Sequence, residues 1–139
     1  MRKDYEFAEF LVSAWRLANP GARLPTSHGI LDRALERVLP ALPAKFEGYL
    51  TFFDARTGRL CRELPAILRS AQESFLTTEP NPTYLTAEVK IDGFFAHDLL
   101  QELDIEPETA NEFGKKLQRA ISTELAARAE AARENMGTA

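Results

Sequence analysis

The stretch ILDRALERVLPALPAKFEGYLTFFDARTGRLCREL, residues 30–64, decides the fold class, because its apolar residues change period part-way along. Ile30, Leu31, Ala34, Leu35, Val38 and Leu39 recur at steps of three and four, while Asp32, Arg33, Glu36 and Arg37 fill the other side of the wheel. That is the spacing of an amphipathic helix. Thr26 or Ser27 supplies a hydroxyl to cap its first turn, and Pro40 and Pro43 end it. From Phe46 to Phe53 the chain turns aromatic and reads as a strand. Residues 54–59, with Gly58 where a positive φ is wanted, read as a turn, and Leu60 to Leu64 return as a second strand. A helix feeding a hairpin places the chain in the α+β class.

Outward from this segment the pattern holds. Residues 4–18 carry a wide apolar face suited to a helix, stopped by Asn19-Pro20-Gly21. After the hairpin, Pro65 suits the first turn of a helix with Ile67, Leu68, Ala71, Phe75 and Leu76 as its buried stripe. Thr77 to Pro82 is a stiff loop. Thr83 to Ile91 alternates, with Leu85, Ala87, Val89 and Ile91 on one face, as in a half-buried strand. Asp92-Gly93 turns into a helix from about Phe94 to Leu103, and Pro107 opens a last helix striped by Ala110, Phe113, Leu117, Ala120, Ile121 and Leu125. The expected order is α-α-β-β-α-β-α-α, a small antiparallel sheet of about three strands packed with helices.

The 139 residues are 45% hydrophobic and 27% charged, enough apolar material for one core and too short for two ordinary domains. Residues 1–125 read as a single globular domain. Residues 126–139 form an Ala/Arg/Glu-rich helical tail with no large anchor, expected to fray or to await a partner. The net charge of −4 argues against a uniformly basic nucleic-acid binder. It is unevenly spread: residues 1–70 hold eleven basic and eight acidic groups, and residues 94–139 five and nine. The front thus complements the back, or an acidic partner. One cysteine, no signal-peptide core and no run of 18 apolar residues give the expectation of a cytoplasmic protein without a membrane segment.

Catalytic signatures are sparse. Gly-rich phosphate loops, dinucleotide fingerprints and serine elbows do not occur, so no cofactor is expected. His28 reads as a polar residue near a helix start. His97 adjoins Asp98, but helix neighbours point roughly 100° apart, and Gln101 stands where a metal site wants a ligand, so no metal is expected. Cys61 has Arg59 and Arg62 nearby to lower its pKa, yet no base is tied to it, and it reads as a packing residue. Cys61 or His97 leaves a small enzyme as the weakest reading.

The most specific local pattern lies at 96–117, which looks like a helix-turn-helix, with Leu99, Leu103, Ile105, Ala110 and Phe113 where two short helices cross. Asp104 replaces the usual turn Gly, and Leu100 the usual Ala. Thr109, Asn111, Lys115 and Lys116 are the DNA-contact candidates, opposed by Glu108 and Glu112. The main expectation is a non-enzymatic interaction or regulatory module working through a protein partner or as a homodimer. Its interface candidates are Tyr5, Phe7, Phe10, Leu11 and Trp15, more apolar surface than one small sheet can cover. A DNA-binding regulator is the alternative.

Overall fold

The computed structural model describes residues 2–27, 29–78 and 85–137, with the side chains of residues 2, 136 and 137 excepted. Its elements are α1 (Arg2–Ala18), β1 (Leu24–Pro25), α2 (Ile30–Arg37), β2 (Phe52–Ala55), β3 (Gly58–Cys61), α3 (Leu64–Glu73), β4 (Thr86–Ala87), α4 (Gly93–Glu102) and α5 (Pro107–Gly137), with 3₁₀ turns at Leu39–Ala41 and Ala44–Phe46. The class and the order are those expected, with one short strand added between the first two helices. The strands form two separate antiparallel ribbons, β1 with β4 and β2 with β3. Among the described residues, no helix is long and apolar enough to cross a membrane.

The core is built on α1. Phe7, Ala8, Phe10, Leu11, Val12, Ala14 and Trp15 are all buried, so apolar side chains cover most of the helix circumference for more than two turns. A helix apolar nearly all round must be enclosed, and α3, α4 and α5 enclose it. Phe7 meets Phe46 edge to face, with ring centroids 5.0 Å apart, and Phe10 meets Phe113 at 4.9 Å. Burying each such ring contributes about 1.5–3 kcal/mol. The crossing of α1 and α5 is close enough to need Gly114, where an added Cβ would stand 2.3 Å from the Ala14 carbonyl oxygen.

Sequence and structure differ most around the strands. Phe46 to Phe53 is not one strand: Phe46 ends a 3₁₀ turn and points into the core, and pairing starts only at Phe52. The hairpin register sets Phe52 opposite Cys61 and Ala55 opposite Gly58, and Gly58 takes φ +129°, the conformation anticipated for the turn. In the expected strand 83–91, residues 83 and 84 lie outside the described residues. The rest contributes only Thr86–Ala87 and an isolated antiparallel bridge from Val89 to Thr77. The start of α2 is Ile30, preceded by Gly29, rather than a turn capped by Thr26 or Ser27. His28 lies outside the described residues.

Candidate functional site

The first helix does not supply the surface expected of it. Phe7, Phe10, Leu11 and Trp15 are buried, and the Trp15 indole N–H donates to the Ala22 carbonyl. Tyr5 alone remains half open, its hydroxyl donating to Glu73. Three helices cover what the sequence reading left for one small sheet and a second molecule.

Exposed aromatic surface appears instead where α3 ends and α4 begins. Phe94 is 87% exposed, Phe75 75% and Phe95 49%. Asp92 caps α4 by accepting the Phe95 N–H at 2.8 Å, which holds Phe94 and Phe95 in the first turn, ahead of the buried Ala96. Phe75 follows the last turn of α3 with φ +61°, a left-handed conformation that costs a bulky side chain about 1–2 kcal/mol. It is locked there because the Leu76 N–H closes the helix end onto the Ala71 carbonyl at 2.9 Å. The Lys90 N–H in turn donates to the Leu76 carbonyl at 2.9 Å, next to the Thr77–Val89 bridge. That pairing brings Phe75 and the segment leading into Phe94 to one end of the same short ladder. The stripe predicted for α3 failed at Phe75 because the helix stops at Glu73, two residues short of the periodic position.

Beside Phe94 opens a cleft of ≈ 500 Å³ lined by Arg16, Asp92, Gly93, Phe94, His97 and Asp98. Its floor is steadied by the Arg16 Nε, which donates to the Ile91 carbonyl at 3.2 Å. His97 separates this cleft from a smaller one of ≈ 260 Å³ that reaches Gln101, Asp104 and Pro107. Among the described residues, no three His, Cys, Asp or Glu side chains are placed to hold a metal ion.

The α4–α5 corner has the apolar packing of a helix-turn-helix: Leu99, Leu103, Ile105, Ala110 and Phe113 are buried. Asp104 takes φ +59°, the left-handed position usually given to glycine, and the Ile105 N–H caps the Leu100 carbonyl at 3.0 Å. Thr109, Lys115 and Lys116 are exposed and Asn111 is half-buried, with Glu108 and Glu112 exposed among them. The second helix of the pair runs unbroken for 31 residues.

Cys61 is buried, and loss of hydration pushes its thiol up to about 12 from an ordinary 9.0. Its Sγ lies 3.7 Å from Glu63 Oε1. The arginines flanking it are engaged elsewhere, Arg59 with Glu36 and Asp54, and Arg62 over the Phe53 ring. The arrangement stores a protonated thiol, the opposite of what a nucleophile requires.

The sequence carries a signal for the phenylalanine surface. Phe94 and Phe95 are adjacent at a helix start, where both cannot face one core. No protein-family model, curated protein or solved structure matches the chain.

Proposed function

We propose that the chain is a non-enzymatic interaction module that binds a protein partner through the phenylalanine surface at the α3–α4 end. The observation that carries this reading is Phe75, a large apolar side chain kept in solvent on a strained backbone. Folding alone favours glycine or asparagine at that position, and strained residues gather at working surfaces. Phe94 and Phe95 add further exposed apolar side chains at the start of α4, and exposed apolar surface of this kind marks a contact site. Asp92, Asp98, His97 and Arg16 supply a polar rim, the usual surround of an interface core.

Quantitative affinity enrichment from cells that make the protein, run with the parent chain and with Phe94→Ser/Phe95→Ser, tests this reading. A partner retained by the parent and lost by the folded variant supports it, and equal retention removes the surface from the contact. Light scattering over a wide dilution range decides whether that partner is a second copy, the homodimer expected from the wide apolar face of the first helix and the anchorless tail.

A second reading, contact with DNA through Thr109, Asn111, Lys115 and Lys116, draws on the well-formed α4–α5 corner. Glu108 and Glu112 on the same exposed helix weigh against it, since phosphates are repelled there. The enzyme reading through Cys61 is weakened by the raised thiol pKa.

A further inference from the structure

A second surface stands apart from the phenylalanines. Between the end of α2 and the middle of α5 lies a cleft of ≈ 370 Å³ lined by Arg37, Val38, Pro40, Ala41, Lys116, Arg119 and Ala120. It has an apolar floor, three cations on its walls and no carboxylate in its lining. Arg37 shares the buried carboxylate of Glu124, at 2.5 Å, with Arg33 at 3.9 Å, so two positive charges meet one negative. Among the described residues, Lys116 and Arg119 make no ion pair. Glu112, one helical turn before Lys116, forms no ion pair with it and does not line the cleft. The cleft is therefore a local excess of positive charge in a chain of net charge −4, within a final third that is itself acidic.

We infer that this cleft docks an acidic peptide segment of a partner protein, one that alternates carboxylates with an aliphatic anchor. Charge complementarity selects the sign of the occupant. The floor selects its class. A phosphodiester backbone uses only the cations, and the basic track is cut short by exposed Glu108 and Glu112 toward the start of α5. An acidic segment with a Leu or Ile side chain uses both, placing the aliphatic group on Val38, Ala41 and Ala120 while its carboxylates reach Arg37, Lys116 and Arg119. This contact is independent of the phenylalanine surface, and each has its own variants.

Fluorescence anisotropy with a labelled peptide of alternating Glu and Leu is the direct test. The same titration is run with a Gln/Leu peptide, an oligoglutamate without Leu, and a short DNA duplex. The Glu/Leu peptide is expected to bind at least about tenfold more tightly than either of the other peptides, with an affinity that falls as salt rises. Lys116→Glu/Arg119→Glu is expected to weaken it by about tenfold or more, and Lys116→Gln/Arg119→Gln to weaken it less. Both pairs change only exposed side chains, and an unaltered urea midpoint confirms that the fold is kept. Four results overturn the inference: no binding of the Glu/Leu peptide, binding unaffected by charge reversal, oligoglutamate binding as tightly, or the duplex binding more tightly and losing affinity in the same variant. The last would assign the surface to nucleic acid.

Discussion

The Asp32 carboxylate accepts the backbone N–H of Cys61 at 2.7 Å, joining α2 to β3 across 29 residues of sequence. Its other oxygen accepts the Gly29 N–H at 3.0 Å, so one buried side chain both caps the helix start and anchors the hairpin. On the helical wheel of residues 30–39 Asp32 sits with the polar residues, and it is buried because the hairpin lies on that side of α2. Asp32→Ala leaves two backbone donors without a partner and is expected to cost about 2–4 kcal/mol. Urea denaturation measures it. A loss under about 1 kcal/mol would show that the link contributes little.

Gly114 is the tightest point of the core. A methyl group there meets the Ala14 carbonyl oxygen at 2.3 Å and the Ala18 Cβ at 2.7 Å. Neither belongs to a flexible side chain, so α1 and α5 must move apart. Gly114→Ala is expected to destabilise by about 2–3 kcal/mol although alanine is the better helix former. An unchanged or raised thermal midpoint would contradict the close crossing.

How far the sequence reaches is clearest in α1 and α2. The stripe Ile30, Leu31, Ala34, Leu35 and Val38 is buried as its spacing demands, with Leu39 at its end half-buried against the core. The aromatic helix before it was equally legible as apolar, but not in its use. Periodicity measures how much of a helix must be covered and says nothing of how many elements cover it. The two ribbons were hidden for a related reason: β1 and β4 are two residues each, too short for alternation to register, and they pair across some sixty residues. The phenylalanine surface escaped because a stripe extrapolated through Phe75 assumes that the helix continues.

Cys61 ties its thiol chemistry to stability at alkaline pH. The unfolded thiol loses its proton near 9.0 and the folded one near 12. Between those values the native state binds more protons, so this group's contribution is complete below 9 and falls as pH rises toward 12. Unfolding free energies measured through that window should decline less steeply in Cys61→Ala than in the parent. Parallel curves would show that burial does not hold the thiol proton. Alkylation by iodoacetamide at mildly alkaline pH should likewise be slow until urea is added.

On the proposed function, Phe75 sets stability against contact. Phe75→Gly removes the left-handed strain and is expected to raise stability by about 1 kcal/mol, less whatever glycine adds to unfolded-chain entropy. The same change should weaken partner binding. A variant that loses stability instead would mean that the Phe75 ring packs in the fold, against its 75% exposure.

Whether the exposed phenylalanines serve a contact rather than the core is read most directly by site-specific photo-crosslinking. A benzophenone amino acid placed at position 94 in cells that make the protein is compared with one at exposed Glu47. A discrete protein adduct is expected from position 94, about tenfold weaker from position 47, and lost from position 94 when Phe75→Ser and Phe95→Ser are added without a shift in urea midpoint. Equal adduct yields from positions 94 and 47, or a yield at position 94 that survives both serine substitutions, would contradict it.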